Sequence, residues 1–370
     1  MKILFVNTHY YMPQSYGGMA NTLHQMCLGL KSRGHEVVVL AGFRRARDFL
    51  SLRNRIDMAA RKRFTGTAAS RDTRLSYPVW RSWNPQDAVE GVAKAERPDV
   101  IVVMGGAVVP VARSARRTGL PTVIQVHDVE DEWHRGDFRE VVDLPVIANS
   151  KFTADTYRQR YGAEAEVIYP FMPLDDYKVV SSRRNVTFIN PIFRKGLRTA
   201  YEVARLCPQI PFTFVGNLSD ADEQGNPVDP NRYALPNVVY QPFCSDMREV
   251  YRECRILFVP SQWDEAYGRV VNEAQISGIP VLASTRGGIP EAVEDGGLLL
   301  DADAPPEAWA EALNTMNTDP ALYERLSEAA IRSAGRPDLN PDRQMKAHED
   351  ALMQAIRGFG VRGSLGGART

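Results

Sequence analysis

Two glutamates flank the start of a predicted helix in the second half of the chain. Glu265 stands in the loop after an apolar strand at 256–260, Gly268 opens the helix, and Glu273 lies inside it. The first N–H groups of a helix have no partner within it, so a helix start behind a parallel strand forms an anion site. The groups concerned belong to Tyr267, Gly268, Arg269 and Val270. The pattern favours a bound diphosphate, although for Glu265 alone a carboxylate that merely complements the helix dipole is an equal alternative.

A second glycine-rich turn follows one strand later. Gly287 and Gly288 open another predicted helix, and Glu291 lies in its first turn. The carboxyl ends of neighbouring parallel strands meet at one edge of a sheet, where doubly wound domains bind ligands. We therefore expect the two turns to converge on one crevice. Gly17 and Gly18, after the first strand, would likewise let backbone N–H groups approach a phosphate or an acceptor.

Strands and helices alternate along the whole chain and so position these residues. Apolar runs, each followed by a turn and a helical segment, recur in the first half at 2–6, 36–40, 99–104, 122–127 and 145–148. The rhythm restarts at 186–189, 212–216, 238–240, 256–260, 280–284 and 297–300. Such strands predict parallel sheets covered on both faces. The predicted fold class is α/β, with two doubly wound Rossmann-like domains at 1–172 and 173–340 that face each other across a cleft.

Length and composition are those of a folded globular protein. The 370 residues are 44% hydrophobic, and 45 Lys and Arg balance 45 Asp and Glu, which excludes a disordered chain and gives no overall attraction to nucleic acid. Four scattered cysteines form no C-x-x-C pair, and no apolar run reaches the length of a membrane span. We expect a cytoplasmic protein, with a disordered glycine-rich tail at 358–370.

One segment departs from this neutral balance. Between residues 44 and 81 there are eleven Lys or Arg and three Asp, an excess of eight positive charges. A solvated, partly mobile insertion is one interpretation. The other is a platform for an anionic acceptor or for the inner face of an anionic membrane, through peripheral contact.

The motifs resemble those of a known family. The stretch E-A-Y-G-R-V-V-N-E-A at 265–274, followed by G-I-P-V at 278–281 and G-G-I-P-E at 287–291, is similar to the donor-binding half of family 4 retaining glycosyltransferases of the GT-B fold. Y-G-G at 16–18, R-G-H-E-V at 33–37 and V-H-D at 126–128 resemble the first half of that family. The resemblance covers roughly residues 2–355.

The resemblance implies a role for each matching residue. Glu265 and His127 would contact the donor sugar, and Glu273 would take both ribose hydroxyls. Lys195 resembles the family's basic residue on the diphosphate and, with Glu265 and His127, forms the predicted catalytic set. The arginine that the family carries five positions earlier is Asn190 here, and Arg194 either replaces its charge or points to solvent.

The implied activity needs no cofactor. Lys195, Arg194 and helix starts would substitute for a divalent cation, and the D-x-D motifs at 220–222 and 301–303 are interpreted as surface turns. The remaining histidines are interpreted as structural: His9, His24, His35, His134 and His348.

The resemblance implies transfer of a sugar with retention to a hydroxyl of a glycan, lipid-linked or small-molecule acceptor. A ribose-binding glutamate favours a UDP-, GDP- or ADP-sugar donor over a deoxynucleotide one. The first domain would bind the acceptor, with helix 341–357 packing back on it, and the second the donor. Two alternatives stay open: a non-catalytic nucleotide-sugar-binding subunit of the same fold, and a nucleotide-sugar epimerase.

Overall fold

The structure, a computed structural model, describes residues 1–44, 49–218 and 234–366. The chain divides into two compact units. The first consists of residues 1–172 and 341–370, and the second of residues 173–340.

The first unit is an eight-stranded sheet with helices on both faces. Its strands are β1 (Lys2–Tyr10), β2 (Glu36–Gly42), β3 (Ser70–Asp72), β4 (Val79–Ser82), β5 (Val100–Met104), β6 (Thr122–Val126), β7 (Val146–Ala148) and β8 (Ala165–Val167). Its helices are α1 (Gly18–Ser32), α2 (Phe49–Thr65), α3 (Pro85–Glu96), α4 (Val108–Arg117), α5 (Asp131–His134), α6 (Lys151–Tyr161) and α13 (Pro341–Gly366). The strand order is β3-β4-β2-β1-β5-β6-β7-β8, and every pair is parallel except β3 with β4.

Strand β1 lies in the middle of this sheet because its residues are apolar on both faces. Leu4 and Val6 pack into one hydrophobic cluster, whereas Ile3 and Phe5 pack into the cluster on the opposite face, as the two-residue period of a strand requires. The second cluster also contains Leu352 of α13. The last helix therefore completes the core of the first unit.

The second unit repeats the architecture on a smaller scale. Its strands are β9 (Asn185–Ile189), β10 (Phe212–Val215), β11 (Val238–Gln241), β12 (Cys254–Val259), β13 (Val281–Ser284) and β14 (Gly297–Leu300). Its helices are α7 (Leu197–Leu206), α8 (Met247–Tyr251), α9 (Arg269–Gln275), α10 (Ile289–Val293), α11 (Pro306–Thr318) and α12 (Pro320–Ala334). The order is β11-β10-β9-β12-β13-β14, all parallel. Strand order reverses between β9 and β12, which is where open α/β sheets bind ligands.

The described part of the basic segment at 44–81 contains one helix and two strands. It contributes α2 and adds β3 and β4 to the sheet, with β4 parallel to β2. Arg81 is fully buried in an ion pair with Asp72 at 2.6 Å, so its charge is not available at the surface. Arg45 and Arg47 lie outside the described residues.

The predicted end of the last helix was wrong. A disordered tail was predicted from 358, but α13 continues to Gly366, and residues 367–370 lie outside the described part of the chain. Once a helix is nucleated, each further residue adds one hydrogen bond, so isolated glycines that cost about 1 kcal/mol each do not necessarily end it.

Candidate active site

The loops that follow β9 and β12 bring Lys195 and Glu265 together. The Lys195 ammonium forms an ion pair with Glu265 Oε1, and the Ser261 hydroxyl lies 3.2 Å from the same oxygen. Gly196 makes this approach possible: its φ is 88°, and a Cβ there would lie 1.9 Å from the Pro260 carbonyl oxygen. A cation and a carboxylate from two neighbouring strand ends thus share one position at the edge of the sheet.

Arg194 and Lys195 lie over the ring of Trp263. The Arg194 guanidinium is 5.1 Å and the Lys195 ammonium 5.9 Å from the ring centroid, within cation–π range. The backbone N–H of Gln262 donates to the Arg194 carbonyl at 2.9 Å. Sequence reasoning missed Trp263, although an aromatic residue two positions before Glu265 was visible.

Glu273 is held from both sides. The residue is 5% exposed, and its Oε2 accepts a hydrogen bond of 2.9 Å from the Tyr251 hydroxyl. Its Oε1 accepts hydrogen bonds from Nη2 and Nε of Arg269 at 3.1 and 3.2 Å. Arg269 Nη2 also donates to the Tyr177 hydroxyl at 3.2 Å. The carboxylate is therefore fixed in place by a cation and a neutral donor.

Tyr251 is a further residue that sequence reasoning missed. It is fully buried, and burial together with the Glu273 carboxylate raises the pKa of its phenol well above the usual value. The hydroxyl therefore stays protonated and acts as a donor to Glu273. No spacing rule joins α8 to α9, so nothing in the sequence marked the pair.

The turn into α9 depends on the backbone conformation of a glycine, and the neighbouring tyrosine side chain is buried. Gly268 adopts φ 96°, a left-handed conformation that favours glycine, and α9 begins at Arg269 and spans only 7 residues. The Tyr267 side chain is buried, donates to Asn272 Oδ1 at 2.6 Å and accepts from Arg336 Nη2 at 2.8 Å. The Tyr267 hydroxyl is therefore engaged by two side chains of the second unit, Asn272 and Arg336.

The second glycine turn packs directly against the loop that carries Glu265. The N–H of Gly288 donates to the Glu265 carbonyl at 2.7 Å, and a Cβ on Gly287 would lie 2.3 Å from that same oxygen. Gly287 also has φ 59°. The two turns therefore meet at the edge of the sheet, and both glycines are needed for the contact.

Asn190 stands where the resemblance would place an arginine, and it has a local structural role. Its φ is 58°, a left-handed conformation that asparagine tolerates better than most residues. Its N–H donates to the Val215 carbonyl at 2.8 Å, and its carbonyl accepts from the N–H of Ile192 at 2.7 Å. Asn190 thus shapes the turn between β9 and Lys195.

In the first unit, Gly17 and Gly18 form the turn into α1. Neither has a positive φ, and a Cβ on either residue would meet no atom within 4 Å. The folded chain alone therefore does not require glycine at 17 or 18.

His127 directly follows β6 and is half-buried. Its neighbour Asp128 has a pKa raised to about 7 by burial and by the nearby Glu130 carboxylate. The Tyr157 hydroxyl donates to the Asp128 carbonyl at 3.2 Å. The V-H-D turn thus places two titratable side chains at the carboxyl edge of the first sheet.

A recess of about 670 Å³ opens at the same edge of the first unit. Its lining includes His9, Tyr10, Phe43, Arg44 and Trp83. Burial and the Arg135 charge lower the pKa of His9, so this imidazole is neutral at pH 7. His9, interpreted above as structural, lies near the end of β1 and lines this recess.

The other histidines are hydrogen-bonded within the first unit. Partners are Tyr77 for His24, Glu349 for His35, Tyr157 for His134 and the Gln344 carbonyl for His348.

Asp301 and Asp303 lie in an exposed turn after β14, where the N–H of Asp303 donates to Asp301 Oδ1 at 2.8 Å. The motif at 220–222 lies outside the described residues. In the described ranges, no three His, Cys, Asp or Glu side chains cluster as a metal site would require.

Two family models match the chain. The model described as glycosyl transferases group 1 matches residues 180–333, and the model described as Glycosyltransferase Family 4 matches residues 16–176. The chain belongs to glycosyltransferase family 4.

Curated relatives carry the name D-inositol 3-phosphate glycosyltransferase. The protein of Streptomyces bingchenggensis is 28% identical over 252 residues, which is 58% of this chain and 53% of that protein. The protein of Corynebacterium glutamicum is 45% identical over 92 residues, 24% of this chain and 22% of the relative. The chain thus matches about half or less of the length of these relatives.

Solved structures share the fold over nearly the whole chain. Sucrose-phosphate synthase of Thermosynechococcus elongatus superposes with a TM-score of 0.75 at 16% identity, covering 96% of this chain and 99% of that one. HepE of Anabaena in complex with UDP-glucose superposes with a TM-score of 0.72 at 21% identity, covering 96% and 100%. The predicted fold class, two doubly wound α/β domains of the GT-B type, is confirmed.

No helix among the described residues combines the length and the apolar character needed to cross a membrane.

Proposed function

We propose that this protein is a retaining glycosyltransferase that moves a sugar from a nucleotide-sugar donor to a hydroxyl of a glycan, lipid-linked or small-molecule acceptor. The observation that carries the proposal is the arrangement of the second unit. Lys195 and Glu265 meet at the strand order reversal, and the fixed carboxylate of Glu273 lies in the helix that follows Glu265. Lys195, Glu265 and Glu273 are also the residues that match the family motifs in the sequence.

In this proposal Lys195 and Arg194 bind the donor diphosphate. In the free chain the Lys195 ammonium is paired with Glu265, so the diphosphate replaces a carboxylate as its partner. Trp263 keeps both cations in place by stacking. Positive charge beside the leaving diphosphate stabilises the charge that develops as the glycosidic bond breaks. The backbone of Tyr267, Gly268, Arg269 and Val270 adds N–H donors.

Glu273 is assigned to the ribose of the donor. Oε2 accepts one hydrogen bond, from Tyr251, and keeps a lone pair for a ribose hydroxyl, whereas Oε1 accepts two from Arg269 and takes the second hydroxyl when Arg269 gives up one of them. A diol that matches both oxygens is then bound bidentately, and a deoxyribose leaves one oxygen without that partner. The donor is therefore a ribonucleotide sugar, with UDP first and GDP or ADP next. The UDP complexes of the structurally similar HepE make uridine the first base to test.

We assign binding of the acceptor, and contact with part of the donor, to the first unit. Gly17 and Gly18 leave open space above their backbone, which suits the approach of a phosphate or hydroxyl. His127 is assigned to the donor sugar. The phosphorylated inositol in the names of the relatives makes a polyol phosphate one acceptor to test.

The reaction is proposed to retain the anomeric configuration by front-face displacement, without a metal ion. The bond from the anomeric carbon to the diphosphate oxygen breaks, and the acceptor oxygen attacks from the same face through an oxocarbenium-like state. The acceptor proton passes to the departing diphosphate. Lys195 and Arg194 supply the positive charge that a divalent cation would otherwise supply.

Binding and turnover separate this proposal from its alternatives. UDP-, GDP-, ADP- and dTDP-sugars are compared by thermal shift, since a ligand that binds the folded state raises its melting temperature. Release of nucleoside diphosphate on addition of an acceptor identifies a transferase, whereas isomerised donor without acceptor identifies an epimerase. A non-catalytic subunit binds donor and releases nothing. A Glu273→Ala protein with wild-type donor KM would contradict the ribose assignment.

Location is also part of the proposal. We place the protein in the cytoplasm, in peripheral contact with the inner face of the membrane through segment 44–81.

A further inference from the structure

Helix α2 presents an apolar stripe to solvent. Leu52, Ile56 and Phe64 are 53%, 64% and 81% exposed, and Ala59 and Ala60 are exposed between them. Each residue of a helix advances about 100° around its axis, so Leu52, Ile56 and Ala59 lie along one line, Ala60 lies beside it, and Phe64 lies about 120° from Leu52 on the side of Ala60. Large exposed apolar side chains normally occur singly, so three of them on the outer face of one helix mark an interaction surface.

Basic side chains flank the apolar stripe. Arg53 lies on one side, Arg55 and Lys62 lie on the other, and Arg63 follows the stripe near the end of the helix. All four are exposed, and no carboxylate of the described residues pairs with them. The remaining basic residues of the helix and its neighbouring strands behave differently: Arg61, Arg71 and Arg81 are paired with carboxylates.

The opposite face of α2 is anchored to the first unit. Asn54 is buried and accepts a hydrogen bond of 3.0 Å from the Ser70 hydroxyl, and Met58 is also buried. The Arg61 guanidinium lies 5.0 Å from the centroid of the Trp80 ring. The helix is therefore held by its inner face, and its outer face is exposed to solvent.

We propose that the outer face of α2, defined by Leu52, Arg53, Arg55, Ile56, Lys62, Arg63 and Phe64, docks flat onto an anionic lipid bilayer. An apolar centre with Lys and Arg on both flanks is the pattern of a helix that lies in the membrane interface, where the apolar groups enter the acyl boundary and the cations meet lipid phosphates. A soluble anion would use the cations and leave the apolar stripe in water. This inference sharpens the membrane contact proposed above and does not depend on the transfer reaction.

Vesicle flotation with the full chain tests the docking surface. Wild-type protein is mixed with vesicles of phosphatidylcholine and phosphatidylglycerol, and with vesicles of phosphatidylcholine alone. We expect binding to the mixed vesicles that weakens as salt rises, because exposed charges are screened. A combined Arg53→Gln, Arg55→Gln, Lys62→Gln variant should bind about a hundredfold more weakly, since each basic residue near an anionic surface contributes about 1 kcal/mol.

The apolar stripe has its own variant. Leu52→Ser, Ile56→Ser and Phe64→Ser together should lower the partition coefficient at least about tenfold, with the loss persisting at high salt. All these residues are exposed, so the melting temperature should stay close to that of the wild type, which separates loss of docking from loss of folding.

Matched controls remove the same charge and the same kind of apolar surface elsewhere. Arg113, Arg117 and Arg158 are 51%, 58% and 55% exposed in α4 and α6, and their joint change to Gln should leave flotation unchanged. Val180, Val239 and Phe243 are 94%, 63% and 52% exposed in the second unit, and their change to Ser should also leave it unchanged.

Three results would overturn the proposal. In the first, wild-type protein does not float with either kind of vesicle. In the second, an α2 variant floats as well as its control variant. In the third, the protein binds inorganic polyphosphate but does not bind vesicles. The last result would assign the basic side chains to a soluble anion. Each outcome is read without a donor or an acceptor, so it leaves the proposed transfer reaction untouched.

Discussion

Removal of one buried hydroxyl tests the assignment of Glu273 without altering the carboxylate itself. Tyr251→Phe keeps the ring in the core and deletes only the hydrogen bond of 2.9 Å to Glu273 Oε2. A hydrogen bond to a charged group contributes about 1.5–3 kcal/mol. Because Arg269 still compensates the charge at Oε1, the lower value applies, about 1.5 kcal/mol or roughly a tenfold change. The same hydrogen bond is present without the donor, so this value is an upper limit for binding, and we expect the donor KM to rise by up to about tenfold with little change in kcat.

The same change should blunt discrimination against a missing ribose hydroxyl. Initial rates are measured with a ribonucleotide sugar and with its 2′-deoxy analogue, for wild type and variant. A carboxylate that is no longer fixed at Oε2 pairs less precisely with the diol, so the ratio of the two KM values should fall.

Tyr323→Phe provides the matched control. Tyr323 is also buried in the second unit, and its hydroxyl donates at 2.9 Å to the Arg255 backbone carbonyl, away from Glu273. This variant should lose stability to a similar degree and keep the wild-type donor KM. If Tyr251→Phe shows the same KM and the same deoxy discrimination as Tyr323→Phe, Tyr251 does not position Glu273 and the reasoning fails.

Three further changes test other parts of the structure. Gly196→Ala should lower the free energy of unfolding, measured by urea titration, by more than about 2 kcal/mol and abolish transfer. Gly162 has φ 69° and no atom within 4 Å of the position that a Cβ would take, so Gly162→Ala should lower it by only about 1 kcal/mol and keep activity. Arg81→Met should cost about 3–5 kcal/mol because it leaves the buried Asp72 carboxylate uncompensated, and adding Asp72→Leu should restore much of that loss in the same urea titration. Asp128→Asn should stabilise the protein by about 1–4 kcal/mol at pH 8 and by almost nothing near pH 4. A carboxyl group with a folded pKa of about 7 opposes folding only as the pH rises above its unfolded pKa of about 4, so equal effects at both pH values would contradict this prediction.

Backbone-level features of the site were predictable because they depend on residues close in sequence. Gly268 and the Gly287–Gly288 turn were identified from glycine placement after strands, and both have the left-handed or closely packed backbone that excludes other residues. Strand positions followed from continuous apolar runs, since a parallel strand buried on both faces leaves no polar position. The short strands β3 and β4 escaped notice because polar and charged residues such as Arg81 and Asp72 occupy buried positions in them.

Side-chain partnerships across elements were not predictable in the same way. Tyr251 and Glu273 lie in different helices, and their hydrogen bond depends on how β12 and its flanking helices pack, which no local spacing encodes. The basic excess at 44–81 could be counted, but only the helix geometry separates cations that satisfy Asp57, Asp72 and Glu96 from those that remain exposed. Charge therefore indicates a surface only after the cations paired with carboxylates have been subtracted, and four of the cations that then remain, Arg53, Arg55, Lys62 and Arg63, lie on the outer face of α2.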